Sequence, residues 1–161
     1  MVYRTGLENR SPFTRTAGSN PAPSAMAAPY VHTFRVRYHE CDAQGIVFNA
    51  NWFTYFDVTL TEWFREAFGS YDALVGAGTD VVLAETTATF KASARFDEEL
   101  GISAEVERLG TTSMVVRFTA RRGEDELVLG RTVYVFVDTR TLGKREIPAD
   151  VRAKLGEYVS G

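Results

Sequence analysis

The stretch from residue 50 to 68 does most to limit what this chain can fold into. At 100° per residue, Trp52, Phe56, Leu60, Trp63 and Ala67 fall on one stripe of a helix, with Phe53, Phe64 and Phe68 at its flanks. Asn51, Thr54, Thr61, Glu62, Arg65 and Glu66 cover the opposite side, and Gly69 marks the end. A lone helix with an aromatic face this wide needs a sheet curved around it to bury that face.

Four strand-like segments follow. Residues 81–96, 100–109, 113–122 and 127–138 are rich in Val, Thr, Phe and Leu. Turn-forming residues separate them: Asp97 with Glu98, Gly110 with Thr111, and Gly123 through Asp125. Connections this short favour antiparallel neighbours over crossover units. Ahead of the helix, the chain from Val31 alternates well enough for a strand ending near His39. Pro148 suits the first turn of a short amphipathic helix. The expected fold class is therefore α+β: one strand, a long central helix, then four meandering strands. Along the last strand Val133, Val135 and Val137 share one face, and Tyr134 and Phe136 the other. An antiparallel strand apolar on both faces implies a covered outer face, and a second subunit is the simplest cover.

Residues 1–29 read differently, with Arg, Ser, Gly, Ala and Pro in no regular period. They are expected to form a disordered tail ahead of one folded domain over 30–161. Met26 offers a second start just before that domain. The Arg and Ser content also suits a transit peptide, but the amphipathic turns of one are hard to find.

Composition excludes several classes. A net charge of −3 gives no broad nucleic-acid-binding face. One cysteine, Cys41, permits neither an internal disulfide framework nor a Cys-based zinc site. His32 and His39 are too few for a His-rich metal centre, so neither metal nor cofactor is expected. No apolar run approaches the ~20 residues that span a bilayer. The N-terminus lacks the apolar core of a secretory signal, and the cytoplasm is the expected compartment.

The chemistry concentrates in RYHECDAQGIVFNANWFTYFD, residues 37–57. A carboxylate, Asp42, stands at a strand end, before a turn in which Gly45 takes a positive φ cheaply. The long helix follows, and a helix start leaves backbone N–H groups unpaired and carries partial positive charge. An acyl carbonyl aimed there would meet an oxyanion site, with the N–H groups near Phe48, Asn49 and Ala50 as donors. Asp42 would lie beside the same carbonyl carbon, able to attack it or to activate a water. A thioester suits so sparse a site, because its thiolate departs without strong acid assistance.

This stretch resembles the signature of the 4-hydroxybenzoyl-CoA thioesterase group of the hot-dog superfamily. The signature runs Asp, two variable residues, Gly, an aliphatic pair, an aromatic or Asn, His or Asn, a small residue and an aromatic. Here these are Asp42, Gly45, Ile46 with Val47, Phe48, Asn49, Ala50 and Trp52. Tyr55, Phe56 and Asp57 match the family helix, residues 90–100 its second strand and acidic turn, and residues 147–152 its tail. The resemblance implies a helix wrapped by a five-stranded antiparallel sheet, and a homodimer or homotetramer with sites at the subunit interface. It implies an acyl-CoA substrate and Asp42 as catalytic nucleophile or general base, with Gly45, Val47, Phe48, Asn49 and Trp52 on the substrate. The chain departs from the pattern twice. Asn49 stands where some members carry His, and Glu40 where Asp is more usual, two residues before the catalytic one.

Each residue also has a plainer reading. An Asp before Gly is commonly a turn or capping residue, and only the whole motif favours catalysis for Asp42. Asn49 is as readily an N-cap as a substrate contact. Asp57 falls at the edge of the apolar face, where a hydrogen-bonding role outweighs a catalytic one. Cys41 with His39 suggests a thiol nucleophile, but no third group orients the imidazole, and a half-buried structural Cys is the better reading. Arg95, Arg121, Arg122, Lys144 and Arg145 are candidates for the CoA phosphates, though most such residues are solvated surface. Two other functions suit the fold: a hydratase or dehydratase, which relies on a helix His absent here, and a non-catalytic acyl-CoA-binding protein, against which Asp42 argues. The acyl group, and the choice between CoA and an acyl carrier protein, stay open.

Overall fold

The helix expected over 50–68 is α1, Asn51–Phe68. The computed structural model describes residues 28–159, so the tail expected over 1–29 lies, but for Ala28 and Pro29, outside the described residues. Five strands form one sheet: β1 (Tyr30–Arg35), β2 (Thr79–Phe90), β3 (Glu99–Leu109), β4 (Ser113–Arg122) and β5 (Asp125–Asp138). Their order is β1-β3-β4-β5-β2, and every pairing is antiparallel. The register shifts at Leu83 to Glu85, at Val106 to Arg108 and at Ala120 to Arg121. Such bulges bend and twist a strand, which lets the sheet curve about the helix. This is the hot-dog arrangement.

Trp52, Tyr55, Phe56, Thr59, Leu60, Trp63 and Phe64 are the buried positions of α1. The stripe is turned slightly from the expected one: Tyr55 and Thr59 lie inside, Phe53 is exposed and Ala67 is half-buried. Thr59 tolerates burial because its hydroxyl donates to the Tyr55 carbonyl at 2.7 Å. Phe56 shows how closely helix and sheet approach. Its ring stacks on Phe118 of β4 with centroids 4.9 Å apart. It also lies over Gly130 of β5, where a Cβ would stand 2.5 Å from the ring. Only glycine leaves that space. By strand alternation Thr132, Tyr134 and Phe136 share the face of Gly130 and are buried, while Val133 and Val135 on the other face are half-buried.

Three stretches differ from expectation. β1 stops at Arg35 instead of near His39, and Tyr38–Glu40 coil into a 3-10 turn. β2 stops at Phe90 instead of residue 96, because Lys91 and Ala92 both donate to the single carbonyl of Leu127 and the ladder ends there. Residues 70–80, without an assignment from sequence, hold α2 (Tyr71–Gly76) and the start of β2. The C-terminal helix, α3 (Ala149–Gly156), begins directly after Pro148. No helix among the described residues is long and apolar enough to cross a membrane.

Candidate active site

Between Glu40 and Phe48 the chain makes a tight hairpin. The Phe48 N–H donates to the Glu40 carbonyl at 2.9 Å, Cys41 bridges Val47, and the Asp42 N–H donates to the Ile46 carbonyl at 2.8 Å. Asp42 also closes the turn. Its carbonyl accepts the Gly45 N–H at 2.9 Å and its Oδ1 accepts the Gln44 N–H at 2.8 Å. An Asp side chain that takes the N–H two residues ahead is a favoured opening for such a turn. Gly45 completes it at φ 72, a conformation free of strain only without a Cβ. The half-buried Asp42 carboxylate is thus pinned through one oxygen, and Oδ2 has no partner among the described residues.

Just beyond the hairpin, α1 starts without a side-chain cap. Ala50 is the N-cap residue, so Asn49 does not play that part. The N–H groups of Asn51, Trp52 and Phe53 donate back to the carbonyls of Phe48, Asn49 and Ala50. Of the three expected oxyanion donors, the Phe48 N–H is consumed inside the hairpin. Those of Asn49 and Ala50 have no partner among the described residues. A cavity of about 440 Å³ joins hairpin and helix, lined by Asp42, Gln44, Ile46, Val47, Phe48, Asn49 and Trp52, by Phe90 at the end of β2 and by Lys91 to Ser93 just after it. Asn49 lines it and Ala50 does not, which makes the Asn49 N–H the better-placed donor. Five of the six expected site residues share this cavity. Gly45 does not line it but sets the turn. Val47 and Trp52 are buried, whereas Phe48 is exposed.

A larger cavity, about 650 Å³, lies against β1 and includes His32, Tyr38, Glu40, Tyr55 and Phe96 but not Asp42. Chemistry decides between them. Only the smaller one combines an unpaired carboxylate oxygen with unpaired helix-start donors. His39 sits exposed in the 3-10 turn and not on a strand, and no hydrogen bond joins it to Cys41 among the described residues. Asp57 is exposed, and its charge adds to the burial that raises the pKa of the Tyr134 phenol. Among the basic candidates, Arg122 pairs with Glu98 and Asp125, Arg121 with Glu126, and Arg145 donates to the Gly78 carbonyl. The Arg95 guanidinium lies over the Asp42 turn, its Nη1 3.9 Å from where a Cβ on Gly45 would stand. Gln44, Lys91 and Ser93 were not foreseen at the cavity. Nor was the bond from the Tyr55 hydroxyl to Glu40 Oε2 at 2.8 Å, because the two residues lie 15 positions apart and no local pattern links them.

The pattern of the thioesterase superfamily matches residues 44–129, beginning two positions after Asp42. The acyl-CoA thioester hydrolase YbgC of Escherichia coli is 30% identical over 123 residues, covering 74% of this chain and 90% of that protein. The structure of a gentisyl-coenzyme A thioesterase superposes with a TM-score of 0.71 at 23% identity, over 79% of this chain and 99% of that one. A 1,4-dihydroxy-2-naphthoyl-CoA thioesterase from Synechocystis does so with a TM-score of 0.72 at 14% identity, over 80% and 96%. The two structures show the shared fold; the sequence matches show the kinship. The chain belongs to the thioesterase superfamily and is a thioester hydrolase of the hot-dog fold.

Proposed function

We propose that this chain hydrolyses an acyl-CoA to the free acid and CoA, with Asp42 as the catalytic carboxylate. The observation that carries the reading is the meeting, in one cavity, of Asp42 and the uncapped start of α1. The thioester oxygen takes the Asn49 N–H, where the partial positive charge of the helix start favours the developing oxyanion. Asp42, held through Oδ1, attacks the carbonyl carbon with Oδ2 or takes the proton of a water that attacks instead. By either route the C–S bond breaks, CoA leaves as its thiol, the acyl carbon gains the oxygen of water, and Asp42 returns to its starting state. The step calls on no metal or cofactor.

A cavity of about 440 Å³ walled by Phe48, Trp52 and Phe90 suits a small or aromatic acyl group. The aromatic acyl groups in the names of the two structural neighbours agree with that choice. The working form is a homodimer or homotetramer. β2 is an edge strand of 12 residues, and Val82, Leu83 and Phe90 on it are 42%, 53% and 51% exposed. An open apolar edge of this length calls for a second copy to cover it. Light scattering at micromolar concentration should give at least twice the 17.9 kDa chain mass, and a monomer would contradict the assembly.

Purified protein should release free thiol from a panel of acyl-CoAs, and Asp42→Asn should not. Absence of thiol release across aromatic, short branched and medium-chain acyl-CoAs would remove the reading.

A further inference from the structure

Glu40 fastens together the parts that must converge on the substrate. Its Oε2 accepts the backbone N–H of Arg37 at 2.7 Å and the hydroxyl of Tyr55 at 2.8 Å. Its carbonyl accepts the N–H of Phe48 at 2.9 Å and the side-chain amide of Asn51 at 2.7 Å. One residue thus links the 3-10 turn, the returning strand of the hairpin and the first two turns of α1. Asp42 follows two residues later, and Asn49 adjoins Phe48. Tyr55 is itself fixed: it is 6% exposed, and its ring meets Phe34 at 4.6 Å and Trp52 at 5.5 Å between centroids. Burial and the Glu40 carboxylate hold its phenol far above the usual range, so it remains a donor.

We propose that the Tyr55–Glu40 hydrogen bond is a positioning device for hydrolysis, holding the Asp42 hairpin in register with the Asn49 N–H at the start of α1. This rests on the reading of Asp42 given above. The bonds from Asp42 to Gln44, Gly45 and Ile46 shape the hairpin tip but do not place it relative to the helix. Beyond the backbone bond from the Asn51 N–H to the Phe48 carbonyl, placement comes through Glu40, by way of the Asn51 and Tyr55 side chains. Two groups from separate elements must meet one carbonyl, and a misplacement of about 1 Å can cost about a hundredfold in rate. Reach matters here more than charge. An aspartate at position 40, one methylene shorter, would leave the Tyr55 hydroxyl unmet, whereas a glutamine keeps an oxygen at the same distance.

The test compares kcat, KM and Tm for Tyr55→Phe, Glu40→Asp and Glu40→Gln, with wild type and Asp42→Asn in the same thiol-release assay. Tyr55→Phe and Glu40→Asp should each lower kcat about tenfold while KM stays within about twofold. Glu40→Gln should remain within about threefold of wild type. Combining Tyr55→Phe with Glu40→Asp should add little to the loss in Glu40→Asp alone, because the Tyr55–Glu40 bond is already gone there. Wild-type kcat in Tyr55→Phe would overturn the proposal. So would a Glu40→Gln as impaired as Glu40→Asp, or a kcat loss that only follows a lowered Tm. A wild type that releases no thiol would instead defeat the reading of Asp42. Amide exchange at Gly45 and Phe48, which does not depend on turnover, then judges the tether: faster exchange in Tyr55→Phe supports it, and unchanged exchange overturns it.

Discussion

Two helices in this chain start in opposite ways. α2, with six residues, opens on Ser70, whose hydroxyl accepts the Ala73 N–H at 3.0 Å. α1, with 18, opens on Ala50 and has no side-chain cap. A short helix has few contacts to hold it and gains from every satisfied end group. α1 is held by seven buried side chains, so the N–H groups of Asn49 and Ala50 just ahead of it can go unpaired without loss of the helix. The contrast leaves the free donors, the N–H groups of Asn49 and Ala50, at the helix end next to the Asp42 hairpin.

That contrast can be broken in three places. The largest expected effect is at Gly130, whose lack of a side chain admits Phe56 and so anchors the second turn of α1. Gly130→Ala puts a methyl 2.5 Å from that ring, and should destabilise the fold by about 1–3 kcal/mol in chemical denaturation. An unchanged midpoint would mean that packing does not substitute for the missing cap. Ser70→Ala should cost about 1 kcal/mol and leave kcat as it was. A loss of turnover there would couple α2 to the site and spoil the contrast. Ala50→Pro should do least. Its φ of −66 already suits proline, and the N–H it deletes has no partner among the described residues. With Asn49 as the oxyanion donor, kcat should stay within about threefold; a large fall would give that role to Ala50.

The elements readable from sequence are those whose cause is local. α1 announces itself by a period sustained over five turns, and the β3 and β4 boundaries by Gly and Asp turns that sit beside them. Asp42 and Gly45 were legible for the same reason, being neighbours in one turn. α2 is too short to show a period, and it had no assignment from sequence. The ends of β1 and β2 are decided by bonds to Glu98 and Leu127, far along the chain, which no local pattern contains. The position of β2 beside β5, at the opposite edge from β1, is likewise a long-range fact. Sequence placed free donors at the start of α1, but it could not show that the hairpin had already taken the one on Phe48. The Glu40 tether was hidden because side chains 15 positions apart carry no joint signal.

The central claim is that Asp42 and the start of α1 form one catalytic centre. Steady-state thiol release by wild type and Asp42→Asn, on the acyl-CoA that wild type turns over fastest, tests it most directly. Asparagine keeps the shape of the side chain and an oxygen for the Gln44 N–H, but not the charge or the basicity. The kcat should therefore fall by at least about a hundredfold, with KM little changed because cavity and helix start remain. An Asp42→Asn enzyme with wild-type kcat would contradict the account and move the chemistry to another residue, Asp57 being the first to test.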